Sequence, residues 1–252
     1  MANPFDLRGR VAIVTGANTG LGQGIAVALA QAGADIVAVG RSMPADTEAG
    51  VAAAGGRLLW VEASLETIEP VARIVEEAVA GFGAIDILVN NAGTIRRQDS
   101  LDFTEADWDA VMDVNLKSVF FLSQAVARWW ALNARGGKII NIASMLSFQG
   151  GIRVPSYTAS KSGVLGITRL LANEWASKGV NVNAIAPGYF ITNNTEALRN
   201  DEVRNRSILD RIPAGHWGKP SELGGAAVFL SSDAASYVHG AVLPVDGGWL
   251  AR

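Results

Sequence analysis

Short, continuously apolar runs recur along this chain, with longer amphipathic stretches between them. VAIVTG (11–16), DIVAVG (35–40), RLLWVE (57–62), DILVNN (86–91), KIINIAS (138–144) and NVNAIAP (181–187) are mostly apolar without polar alternation. That pattern suits strands covered on both faces. Between them, GIAVALAQAG (24–33), IEPVARIVEEAVAGFG (68–83) and WDAVMDVNLKSVFFLSQAVARWWAL (108–132) place apolar residues at helical spacing. Strands alternating with helices require right-handed crossovers and build a parallel sheet with helices on both faces. The predicted fold class is α/β, a doubly wound parallel sheet forming a single domain over residues 1–252. Such a sheet takes its ligand beyond the carboxyl ends of the strands, so residues there are the first candidates for function.

Composition narrows the chemistry. The 252 residues suffice for one sizeable core. Acidic and basic residues nearly balance, 24 against 21, so neither nucleic acid nor an anionic membrane is an expected partner. MANPFDLRGR shows no apolar run after its charges and predicts no secretory signal, and no apolar segment is long enough to span a bilayer. A chain without cysteine has no disulfide, thiolate nucleophile or cysteine zinc site, and with two histidines, His216 and His239, no metal centre is expected. The expected location is the cytoplasm. Trp129, Trp130 and Trp175 are expected in core or helix-packing surfaces.

Two segments carry recognisable chemistry. TGANTGLG follows the first strand and opens a helix, with Gly16, Gly20 and Gly22 around Asn18, Thr19 and Leu21. Glycines there let the backbone approach a diphosphate at a helix N-terminus, and the absence of a Gly-Lys-Ser/Thr ending disfavours phosphate transfer. In PSYTASKSGV (155–164), Tyr157 precedes Lys161 by one helical turn amid small residues. One reading is an ordinary surface pair. The other is a phenol whose pKa a neighbouring cation draws toward neutrality, giving a proton donor and acceptor.

TGANTGLG, NNAG (90–93), Asn115 in a long helix, Ser144 at a strand end, Tyr157-x-x-x-Lys161 and Pro187-Gly188 occur in the order that resembles the short-chain dehydrogenases/reductases. The resemblance covers essentially the whole chain. It implies a Rossmann-type sheet, NAD or NADP, and hydride transfer between an alcohol and a ketone. It further implies a catalytic set of Asn115, Ser144, Tyr157 and Lys161: Tyr157 moves the proton, Lys161 lowers the phenol's pKa and holds the nicotinamide ribose, Ser144 holds the substrate oxygen, and Asn115 links Lys161 to water. Without the resemblance, Ser144 reads as a turn cap and Asn115 as a local buried hydrogen bond. The cofactor would also meet Ser64, Leu65, Asn91, Ala92, Gly93, Pro187, Gly188, Phe190 and Thr192.

Two positions depart from the common pattern. Ser64-Leu65 stands where an acid usually precedes the adenine contact, and Gly40-Arg41 offers no acid to the cofactor ribose. Arg41 can pair with a 2′-phosphate or stack on adenine, so NAD and NADP stay open. Longer stretches such as NNAGTIRR (90–97), ASMLSFQGG (143–151) and APGYFITNNT (186–195) resemble the branch of the family acting on deoxy and keto sugar acids. Oxidation of gluconate at carbon 5, carrier-protein ketoreduction and a cofactor-sensing module without catalysis are the alternatives. A sugar acid needs a cation for its carboxylate. Arg96 is the first candidate, its neighbour Arg97 being expected to point away, and Arg153 is the second. Residues 189–212 read as a polar, weakly helical lid. The family also implies a homotetramer.

Overall fold

The computed structural model of the chain describes residues 3–252. Seven strands form one parallel sheet: β1 (Val11–Thr15), β2 (Asp35–Gly40), β3 (Leu58–Glu62), β4 (Ile87–Asn90), β5 (Gly137–Ile142), β6 (Val180–Pro187) and β7 (Val242–Val245). Their order is β3-β2-β1-β4-β5-β6-β7. β1 pairs with β2 on one side and β4 on the other, Val14 lying opposite both Ala38 and Val89. The winding reverses between β1 and β4, which opens a crevice at their carboxyl ends. The doubly wound α/β class expected from the sequence is the class observed. β7 was not foreseen. VLPV is short, mostly half-buried and carries Pro244, which is tolerated at a sheet edge.

The helices are α1 (Gly20–Gln31), α2 (Ala45–Ala53), α3 (Val71–Phe82), α4 (Glu105–Met112), α5 (Ser118–Leu132), α6 (Pro155–Trp175), α7 (Glu196–Asn200), α8 (Glu202–Leu209) and α9 (Gly224–Ser231). Successive strand residues face opposite sides. Val14, Ile36, Ile140 and Ile185 therefore meet Ile25 and Leu29 of α1 and Leu230 of α9. Ile13, Val37, Leu88, Ile139 and Val182 meet Ile74 of α3 and Leu122, Val126 and Trp130 of α5. Each such side chain, fully buried, stabilises by about 1.5–3 kcal/mol. Trp130 is fully buried, and its Nε1–H donates to the Ile85 carbonyl at 2.7 Å. Trp129 and Trp175 pack partly buried on the same face.

The helix predicted over 108–132 begins earlier and is not uniform. Thr104 caps its start, the hydroxyl accepting from the Asp107 N–H at 3.1 Å. Its middle, Asp113–Lys117, is a π-helical segment, where Ser118 N–H bonds the carbonyl five residues back, Asp113. Segments of this kind insert a residue and turn a side chain off the regular face. Here that side chain is Asn115. A buried polar chain links the same layers. Asn90 Nδ2 donates to Ser123 Oγ at 3.0 Å and to Asn141 Oδ1 at 2.8 Å, and Asn141 Nδ2 donates to Thr168 Oγ1 at 2.9 Å. β4, α5, β5 and α6 are thereby held in one arrangement.

Candidate active site

A cleft of about 660 Å³ lies beyond the carboxyl ends of the strands. Gly16, Asn18, Thr19, Gly20 and Leu21 line it from the first loop, Arg41 after β2, and Ser64 and Leu65 after β3. Asn91, Ala92 and Gly93 follow β4, and Pro187, Gly188, Phe190 and Thr192 follow β6. Gly22 lies behind this wall, packed on the Gly16 carbonyl so closely that a Cβ would overlap it. Gly16 itself has φ +63, and a Cβ there would sit 3.0 Å from Ala92 Cα. Only glycine fits that bend and that approach.

The N-terminus of α1 faces this wall. Thr19 makes no side-chain cap, and the first turn holds no acidic residue. Its N–H groups and positive dipole end therefore suit an anionic diphosphate. Asn91 closes the crevice, its Nδ2 donating to the Thr15 and Gly16 carbonyls at 2.9 and 3.2 Å. The donor set, the glycine cradle and the cleft's size fit a dinucleotide.

Tyr157, Lys161 and Ser144 meet in the same cleft. Pro155 starts α6 at a position where a missing N–H is harmless, so the tyrosine enters within the first turn. Lys161 lies one turn further and is buried, its Nζ donating to the Ile142 carbonyl at 2.6 Å and standing 5.8 Å from the Tyr157 ring centre. Ser144 Oγ accepts from the Leu146 N–H at 3.2 Å, the turn-capping role, and it also lies beside the Tyr157 hydroxyl.

The expectation that Lys161 lowers the phenol's pKa is not met here. Burial pushes Tyr157 up from its ordinary value, opposed first by the neighbouring Ser144 hydroxyl and then by the charge of Arg97. The same burial brings Lys161 down to about 8. The physical reason is shared desolvation: both groups lose the charged form that water would stabilise.

Asn115 stands one step back from the cleft. It is fully buried, accepts from the Thr94 N–H at 2.8 Å, and donates to the Thr94 carbonyl at 2.9 Å and Ser160 Oγ at 3.3 Å. It thus pins the segment after β4 to α6, the local hydrogen-bonding role, and its partners among the described residues are Thr94 and Ser160.

The arginines are arranged differently from the expectation. Arg96 lines the cleft but pairs with Asp107 at 3.3 Å. Arg153, in a left-handed conformation at φ 62, pairs with Asp99 at 3.3 Å and does not line the cleft. Arg97, unlike Arg96, does not line the cleft. Its Nη2 donates to the Asn194 carbonyl at 3.0 Å, its charge acts on Tyr157, and it pairs with no acid among the described residues. Residues 91–99 form no strand, yet Arg96 and Arg97 still differ in that only the first lines the cleft. Ser42, Glu66 and Thr94 also line the cleft. The sequence flagged none of them, although each adjoins a flagged residue.

Residues 16–250 match the family model described as enoyl-(acyl carrier protein) reductase. The chain is 62% identical over 250 residues to a 2-dehydro-3-deoxy-D-gluconate 5-dehydrogenase of Dickeya dadantii, covering 99% of both. A structure from Agrobacterium tumefaciens, described as a putative 2-deoxy-D-gluconate 3-dehydrogenase with bound NADP, is 60% identical over the full length of both chains, with a TM-score of 0.93. A gluconate 5-dehydrogenase from Burkholderia cenocepacia in complex with NADP and tartrate is 39% identical, with a TM-score of 0.93 over 99% of this chain and 98% of that one. With its sheet order, its glycine cradle and Tyr157 one turn before Lys161, the chain belongs to the short-chain dehydrogenases/reductases, oxidoreductases that use NAD or NADP.

Proposed function

We propose that this protein interconverts a secondary alcohol and a ketone on a deoxy or keto sugar acid, in the manner of a 2-dehydro-3-deoxy-D-gluconate 5-dehydrogenase. The observation that carries the reading is the meeting of Tyr157, Ser144 and Lys161 in a cleft whose other end is the glycine cradle. Names of relatives at this identity support the substrate class.

The nicotinamide, when bound, gives or takes the hydride. The chain's own residues handle the oxygen. In ketone reduction Tyr157 donates its phenolic proton to the carbonyl oxygen, and in oxidation the phenolate takes it back. Ser144 donates a hydrogen bond to the same oxygen as charge develops on it. Lys161 spends one donor on Ile142 and keeps two, enough to hold ribose hydroxyls. Neutral Tyr157 favoured by burial is the form that donates. Asn115 holds Thr94, and through it the wall opposite α6.

Arg97 is the cation we assign to the substrate carboxylate, because among the described residues it makes no ion pair and its Nη2 reaches the carbonyl of Asn194, which lines the cleft. Its contact with Asn194 ties that assignment to residues 189–212, which here form a 3-10 turn at Asn193–Thr195 followed by α7 and α8. We assign this segment the role of a lid, and the assembly a homotetramer acting in the cytoplasm. No described helix is long and apolar enough to cross a membrane. A panel of keto-aldonates and neutral ketoses, assayed with both cofactors, tests the reading: turnover confined to the sugar acids supports it, and turnover of acyl substrates instead would refute it.

A further inference from the structure

Across the cleft from Tyr157, where β2 and β3 end, lies an ion pair that the proposed chemistry does not use. Gly40 and Glu62 are register partners at those ends. Arg41 follows the first, and Glu66 lies just beyond the second. Arg41 Nη1 meets the Glu66 carboxylate at 3.2 Å. Ser64 Oγ donates to the other carboxylate oxygen, also at 3.2 Å. Beside them Asn18 Nδ2 donates to Ser42 Oγ at 2.7 Å. Asn18, Gly40, Arg41, Ser42, Ser64 and Glu66 all line the cleft. Gly40, where an acid would hold a ribose, has no side chain at all.

We propose that Glu66 sets the balance between the two cofactors, competing with a ribose 2′-phosphate for Arg41. The inference rests on reading the cleft as a dinucleotide site. The Arg41 and Glu66 side chains are 74% and 60% exposed, so water screens the pair and holds it weakly. A phosphate offers Arg41 several charge-assisted acceptors at once and can displace the carboxylate. The displaced carboxylate then remains in the same corner as a group carrying about −1.5 to −2 charges, and like charges repel. A 2′-hydroxyl meets no such repulsion and can donate to the carboxylate. One side chain therefore works against NADP and not against NAD, and it supplies from the β3 side the acid that β2 lacks.

Glu66→Gln removes the charge and keeps the shape. Dissociation constants for NADP and NAD, measured by calorimetry on the full chain without substrate, read the effect. The expected result is NADP binding tightened about 5-fold, the upper range for an exposed pair, with NAD unchanged or weaker. Arg41→Ala should weaken NADP far more than NAD and remove most of the gain from Glu66→Gln. Equal shifts for both cofactors, or an unchanged NADP constant in folded Glu66→Gln protein, overturn the proposal while leaving the dinucleotide reading intact. Absence of binding of either cofactor to the wild-type chain overturns both.

Discussion

Burial pushes Tyr157 and Lys161 in opposite directions on the pKa scale and toward the same state, uncharged. For the tyrosine, raising the pH populates the phenolate that accepts a proton. Alcohol oxidation should therefore rise with pH and ketone reduction fall, and pH–rate profiles in both directions check this. For the lysine, the consequence is stability. Between about 8 and 10.5 the unfolded chain holds a proton that the folded chain has lost, so folded stability climbs with pH across that window. Below about 8 the penalty is complete and flat. Urea unfolding at about pH 7.5 and about pH 9.5 should show wild type gaining about 2 kcal/mol relative to Lys161→Met. Parallel curves would mean that Lys161 is not desolvated. Arg97 gives the third expectation at this scale. Arg97→Ala should raise KM for a keto-aldonate by roughly 10- to 150-fold, the value of a charged hydrogen bond, and spare a neutral ketose. Arg96→Ala should do less, since that arginine serves Asp107.

Among the elements, α6 carries Tyr157 and Lys161, and the π-helical segment Asp113–Lys117 packs against it. Gly163 of α6 approaches Leu116 so closely that a Cβ would lie 2.9 Å from Leu116 Cδ2. Gly163→Val should cost about 1–3 kcal/mol through overpacking, read as a lower urea midpoint, and should lower kcat by displacing α6. An unchanged midpoint would show that Leu116 simply moves aside. These elements also mark what a sequence can reveal. Continuous apolar runs exposed six strands because a doubly covered strand must be apolar along its length. β7 escaped because an edge strand can be short and can contain Pro244. α2, ADTEAGVAA, escaped because it buries only Thr47 and Val51. The π segment has no compositional mark; it lies where the chain passes from α4 to α5 and packs against α6.

At the scale of the whole molecule, one sheet reversal places the glycine cradle, the segment after β4 and the Tyr157 helix around a single cleft. Motif order made that convergence legible in advance, because in a doubly wound sheet the strand ends all point to one side. The electrostatic state of the cleft was not legible, since it depends on burial and on which arginines find acids. The central claim is that this cleft oxidises and reduces a sugar acid through Tyr157. Its most direct measurement is the steady-state turnover of 2-dehydro-3-deoxy-D-gluconate with NAD and NADP, by wild type and by Tyr157→Phe. The account predicts turnover by wild type and a fall in kcat of at least about 100-fold in the variant, with cofactor affinity little changed. A Tyr157→Phe protein that keeps most of its kcat would contradict it.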